Sequence, residues 1–232
     1  IIGIGFFGLP HAFARAGFGI STFLLIVLAA ALSFLHYGYG IVAMRTPEDH
    51  RLPGYVRMWM GISASRAALL INTLSITGGL VAYIAAQLLF TRIFIPHTGI
   101  SWIIVAVTLA FPVIVRSKVF ERLESAATAV MLALICIIAF AGVPHFNPPA
   151  PLGEVGSLYG IALFALYGAS AIPELKAFLS HTSHAWKITA IGTCVPAVAY
   201  TFFIIGIMGL SGGAPSGDAL SGISTYPVML RI

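Results

Sequence analysis

The sequence predicts an all-α membrane protein of about seven transmembrane helices, with the first and the sixth broken at membrane depth. Three observations carry this. Charged residues make up only 8% of the chain, against about 25% in an ordinary soluble domain, while 59% are hydrophobic and the mean hydropathy is +1.01. Apolar runs long enough to cross a bilayer recur between short polar loops. Two of those runs are interrupted by the same glycine-to-proline spacing. A soluble fold of 232 residues has too little interior to hide so much apolar surface, so the solvent is lipid.

A helix needs about 20 apolar residues to cross the hydrocarbon core. By that measure residues 1–16 are the remnant of a first span, and 18–44 form a second. Residues 45–65 are polar, opening on Thr46, Pro47, Glu48 and Asp49 and continuing in an amphipathic piece around Tyr55 and Trp59. Further spans are expected at 66–95, 100–115, 123–143, 157–179 and 187–210, with a proline-rich loop at 144–156. Residues 1–143 then form one repeat, and 157–232 open a second: spans six and seven and the lead-in to an eighth. The chain starts at Ile1 and stops at Ile232, just after a new apolar stretch begins, so it is expected to be a piece of a longer protein.

Net charge is +5, but the basic residues are scattered between apolar runs and form no stripe of the kind that binds nucleic acid. They read as topology instead. With the start of the chain cytoplasmic, nine of the twelve (Arg45, Arg51, Arg57, Arg66, Arg116, Lys118, Arg122, Lys176, Lys187) fall on the inner side. The first span then runs outward and the sixth inward, as expected for a multi-pass protein of the inner (plasma) membrane. Cys136 and Cys194 lie inside apolar runs and are expected to be packing residues, not a disulfide or a zinc site. No His/Glu metal motif, acidic pair or activated nucleophile can be assembled, so neither catalytic nor metal residues are assigned and no enzyme is expected.

The breaks carry the chemistry. In lipid every backbone donor and acceptor must be paired, so a helix breaker at depth is tolerated only where protein or a watery cavity supplies partners. The first span reads Gly3-Ile4-Gly5-Phe6-Phe7-Gly8-Leu9-Pro10 and the sixth Tyr167-Gly168-Ala169-Ser170-Ala171-Ile172-Pro173. Gly5 precedes Pro10, and Gly168 precedes Pro173, by five residues. Paired interruptions at corresponding places of two halves mark the substrate site in transporters built from inverted repeats. A helix restarting near Pro10 presents free N–H groups that attract a carboxylate. One ending near Tyr167 presents carbonyls that attract an ammonium. A zwitterion with both groups on one carbon, an α-amino acid, fits between them.

Other polar residues are fewer. Glu174, just after Pro173, is expected either to couple or gate or to cap the following helix turn. His11, one residue past Pro10, reaches the site or its outer vestibule. His36, near Tyr37 and Tyr39, reads as a hydrogen-bonded packing residue or as a coupling group. Span three carries Asn72, Thr73, Ser75, Thr77, Tyr83 and Gln87, of which Tyr83 is the candidate substrate contact; the rest also suit helix-to-helix packing.

The stretch from Gly3 to Phe18, GIGFFGLPHAFARAGF, resembles the first-helix signature of the amino acid/auxin permease family, and Phe164 to Leu175, FALYGASAIPEL, resembles its sixth. The nearest likeness is to the bacterial branch for aromatic and hydroxy amino acids. This resemblance implies a leucine-transporter-type fold of five plus five inverted spans, seen here truncated, and symport driven by protons or, in some members, sodium. It implies that Gly3, Ile4 and Gly5 meet the substrate carboxylate and that Gly168, Ala169 and Ser170 line the amino-group side. The family usually carries a small residue between the two glycines, where this chain has the bulkier Ile4. No cofactor beyond the coupling ion is implied, and the proton is favoured. A seven-span receptor that binds without flux is the rival expectation.

Overall fold

In the computed structural model the residues described are 4–95, 97–114, 118–148, 153–176, 182–217 and 219. Among them the chain is all-helical, with no strand. A 3-10 helix, Ile4–Gly8, leads into α1 (Leu9–Ala16), followed by α2 (Phe18–Arg45), α3 (Leu52–Phe94), α4 (Thr98–Ile114), α5 (Lys118–Gly142), α6 (Val155–Leu166) and α7 (Thr182–Leu210). Short 3-10 turns occupy Val143–His145 and Ala169–Ala171.

Four stretches are continuous and apolar enough to cross a membrane: Phe18–Arg45, Leu52–Arg92, Arg122–His145 and Trp186–Leu210. The other expected spans also fold as helix, but Gly99–Phe111 and Val155–Ala171 are shorter and the first is split into a 3-10 and an α segment. Large apolar side chains point outward along the long helices; Phe34, Ile71 and Phe140 are 75%, 65% and 83% exposed. In water such a surface would aggregate. In lipid it is the expected exterior.

The chain divides into two compact units, residues 1–51 with 131–232, and residues 52–130. In the first unit α2 packs along α7, and α1 packs against α6 and α7. Phe6, Leu9, Phe13, Leu25, Leu158, Ile204, Ile207 and Met208 form its buried core. α1 turns directly into α2 at Gly17, whose φ of 100° is open to glycine and strained for other residues. Gly206 of α7 lies against α5 so closely that a Cβ there would stand 2.6 Å from the Ile138 carbonyl oxygen and 2.9 Å from the Ala139 Cα. Small residues at such crossings substitute dispersion contact for the hydrophobic force that lipid removes.

In the second unit the amphipathic piece and the third span join into α3, with a kink at Gly61 (φ 87°, ψ −179°). Tyr55 is buried, and the Ser65 hydroxyl reaches back across the kink to donate to the Pro53 carbonyl (2.8 Å). The boundary expected at residue 66 thus falls inside one helix, α3, whose only non-helical residue is the kink at Gly61.

Two further expectations are corrected. Span six was expected to break near Tyr167 and to resume as helix after Pro173 as far as residue 179. Regular helix does stop at Leu166, where Tyr167 is extended (φ −70°, ψ 111°), but the described chain continues to Lys176 as 3-10 and hydrogen-bonded turns, and 177–179 lie outside the described residues. Cys136 and Cys194 are free and exposed rather than packed inside. An apolar run does not say which side of a helix faces protein when the surroundings are themselves apolar.

Replacing Gly206 by valine is expected to cost about 1–3 kcal/mol through overpacking against α5. Thermal unfolding of the solubilised protein checks this against Gly156→Ala, where an added Cβ has nothing within 4 Å. An unfolding temperature for Gly206→Val equal to the control would contradict the close approach.

Candidate functional site

The first interruption lies against the end of α6. Ile4–Gly8 winds as a tight 3-10 helix, and α1 starts at Leu9 with Pro10 in its first turn, where its missing N–H is not needed. No side chain caps this end; Gly8 occupies the cap position. At Gly5 an added Cβ would lie 2.6 Å from Phe164 Cδ1 and 3.1 Å from the Ala165 backbone nitrogen, and at Gly8 3.4 Å from Ile161 Cγ2. The start of α1 therefore lies against the end of α6, and the lack of side chains at these glycines allows it.

The opposite ends of the same two helices are also joined. Arg15, in the last turn of α1, forms an ion pair with Glu154, the residue that caps α6, and the Glu154 N–H donates to the Arg15 carbonyl (3.4 Å). α1 and α6 run antiparallel. The positive N-terminal dipole end of one and the negative C-terminal end of the other consequently face the same place. Hydrogen bonding from the Arg15 guanidinium holds the Glu154 carboxyl below its ordinary value.

A helix end leaves its last four carbonyls without helical partners. One of them is answered from α7: the Tyr200 hydroxyl, fully buried, donates to the Ala165 carbonyl at 3.0 Å. Phe6 stacks on the Tyr200 ring (centroids 5.6 Å, 3° between planes) and meets Phe203 edge-on at 4.8 Å. The break in the first element is thus walled by aromatic rings of α7. Tyr200, Phe6 and Phe203 escape a reading of the sequence because each sits in an apolar run where it looks like core; only the hydroxyl of Tyr200 hints at a polar partner.

Beyond Leu166 the chain passes through Gly168, which is buried, to Ala169 and Ser170 in the 3-10 turn, Ala169 half-buried and Ser170 exposed. Gly3 lies outside the described residues. Ile4 and Gly5 belong to the 3-10 helix, Gly5 at the contact itself. Tyr83 belongs to α3 of the other unit, with its ring 46% exposed. His11 Nδ1 donates to the Pro215 carbonyl (3.0 Å), tying α1 to the segment that follows α7.

Glu174 pairs with Arg51 at 3.0 Å, both side chains about two-thirds exposed. Beside it Lys176, only 20% exposed, donates to the Thr46 carbonyl (2.9 Å), to the Pro47 and Glu48 carbonyls (both 3.3 Å) and to Asp49 Oδ1 (2.8 Å). A cation here answers the free carbonyls at the end of α2. Its hydrogen bond also holds the Asp49 carboxyl below the usual range. The turn that follows the second break is in this way fastened to the loop after α2.

Tyr200→Phe keeps the ring contacts and leaves a buried carbonyl unpaired, so it is expected to destabilise the protein by about 1–3 kcal/mol; an unchanged unfolding temperature would contradict the bond. For Glu154 the carboxylate is favoured in the folded state, so its contribution is present above the ordinary value of 4.5 and lost as pH falls through the lower folded value. The difference in unfolding temperature between wild type and Glu154→Gln should therefore shrink below that pH. A constant difference would remove the ion pair as its cause.

Comparison with protein-family models, with curated proteins and with solved structures finds no match to this chain.

Proposed function

We propose that this chain is part of a secondary active transporter that carries an α-amino acid, aromatic or hydroxylated, together with a coupling ion across the inner membrane. The observation that carries the reading is the meeting of two interrupted helices, α1 by its start and α6 by its end, at Gly5, Gly8, Ile161 and Ala165. Opposite dipole ends facing one place suit a ligand with a carboxylate and an ammonium. The resemblance of both break sequences to the amino acid/auxin permeases supports the same ligand class, and with it the five-plus-five inverted-repeat fold.

On this reading Gly3, Ile4 and Gly5 offer backbone N–H groups to the carboxylate, and Gly168, Ala169 and Ser170 line the amino-group side. Tyr200 holds the Ala165 carbonyl, so the ammonium goes to the remainder of that helix end. The start of the chain is cytoplasmic, by the placement of its basic residues. His11 is assigned to the outer vestibule, and Glu174 with Arg51 to an inner gate that parts when the site opens inward. Alternating access then consists of rocking the elements that hold the breaks about a fixed midplane site.

The full-length protein in proteoliposomes, under an imposed inward proton gradient, is expected to accumulate at least one aromatic or hydroxy amino acid and to lose that accumulation on adding a proton ionophore. Uptake of none of the twenty amino acids would overturn the proposal, and binding without flux would favour the receptor reading. Glu174→Gln removes an exposed ion pair of about 0.2–1 kcal/mol. It should change the transport rate by no more than about fivefold and leave proton dependence intact; loss of that dependence would make Glu174 a coupling group instead of a gate.

A further inference from the structure

His36 lies within α2, roughly 14 Å along the axis from its Arg45 end at 1.5 Å per residue. It is only 4% exposed, where α2 packs against α7. Its Nδ1 stands 3.1 Å from Thr193 Oγ1. That hydroxyl has a single proton, and it is directed to the Thr189 carbonyl at 3.0 Å, one turn back on α7. With that proton given to the Thr189 carbonyl, Thr193 Oγ1 accepts from His36 and Nδ1 carries the hydrogen, and this tautomer is the one on which the proposal below is built. The order of donation is His36 Nδ1–H to Thr193 Oγ1–H to Thr189 carbonyl.

In this order of bonds the neutral ring keeps Nε2 as a bare lone pair. Nε2 is buried and has no hydrogen-bond partner among the described residues, and neither has the Ser33 hydroxyl, three residues earlier on the same face of α2. A basic nitrogen held in this way inside a span is costly and marks an ion or proton pathway by default. Among the described side chains, the titratable groups on the helices packed against α2 are engaged elsewhere or exposed, and His184 of α7 lies outside them. His11 bonds the Pro215 carbonyl, Arg15 pairs with Glu154, and Tyr200 bonds the Ala165 carbonyl. Tyr159, Lys187 and Cys194 are exposed. On α2 itself the neighbours are Tyr37 and Tyr39, both half-buried, and Arg45 is exposed at its end.

We propose that His36 Nε2 is a proton-binding site, with Thr193 as its positioning residue, and that its occupancy sets the packing of α2 against α7. The proposal rests on the transport reading for its purpose, since it names where the coupling proton sits. The step is a simple association: the Nε2 lone pair takes a proton from a hydronium ion, an N–H bond forms, water leaves, and the ring gains one positive charge with nothing oxidised or reduced. The charged ring needs an acceptor at Nε2, and this packing offers none among the described residues. Protonation therefore selects an arrangement of α2 and α7 in which Nε2 is wetted or meets substrate.

Histidine-selective ¹⁵N labelling of the full-length protein in lipid nanodiscs reads the tautomer directly. The signal that disappears in His36→Asn identifies His36 among the histidines of the protein. The expected neutral species carries its hydrogen on Nδ1 alone and converts to the doubly protonated ring as pH is lowered. A hydrogen on Nε2, or no titration between about pH 4 and 9, would overturn the proposal. Thr193→Val removes the acceptor and should release a mixture of tautomers even if the asparagine variant folds poorly; an unchanged tautomer would count against the positioning role. Asparagine retains an N–H near Nδ1 but no basic nitrogen. His36→Asn should keep amino acid exchange and lose about tenfold in proton-driven accumulation, and full accumulation would overturn the proposal. Where wild type shows no flux the transport reading fails while the titration still decides His36; where wild type transports and His36 does not titrate, only the proton site fails.

Discussion

The structure depends on one constraint: a backbone interrupted among apolar side chains must still find partners for its N–H and C=O groups. α6 is only twelve residues long, and the Ala165 carbonyl at its end is paired by a tyrosine from α7. This bond requires α7 to pass directly behind the break. α7 in that position supplies the rings that enclose Phe6, the glycine that admits α5, and the threonine that meets His36 on α2. Packing in the first unit is set by where the irregular backbone must be served.

Irregularity in the middle is balanced by fastening at the ends. Arg15 with Glu154 joins α1 to α6 on one side, and Lys176 with the loop after α2 holds the turn beyond the second break on the other. Exposed pairs of this kind contribute little to stability singly. Their use is positional: they set which end of each helix faces the other, and hence the sign of the field at the breaks. Polar interactions inside are few, and each therefore governs more, as the His36 to Thr193 to Thr189 relay shows.

Much of the fold was legible in the residues because membrane helices announce themselves by length and by what interrupts them. Gly5 to Pro10 and Gly168 to Pro173 mark their breaks by residues that cannot continue a helix comfortably. The backbone beyond a break was less legible. Ile172 and Leu175 are as apolar as any helix interior, yet the chain there forms turns, since loss of the ladder at Tyr167 is not repaired within one turn of Pro173. The kink at Gly61 joined two segments that polarity had separated. Of the contact between the start of α1 and the end of α6, Gly5 was readable and its partners were not. Tyr200 is distant in sequence from Ala165, and Thr193 resembles any small hydroxyl used in helix packing. Cys136 and Cys194 were misplaced for a related reason: in lipid, an apolar residue carries no signal of inside or outside.

The central claim is that the start of α1 and the end of α6 lie against each other, and a disulfide tests it most directly. In full-length protein lacking Cys136 and Cys194, Gly8→Cys paired with Ile161→Cys places two thiols where a Cβ at residue 8 stands 3.4 Å from Ile161 Cγ2, within the reach of a bridge. Mild oxidation in native membranes is expected to link the pair, while Gly8→Cys paired with Gly156→Cys, about a turn and a half toward the start of α6, stays reduced. Failure of the Gly8 and Ile161 pair to link, with both thiols reactive to a small alkylating reagent, would contradict the contact between the start of α1 and the end of α6.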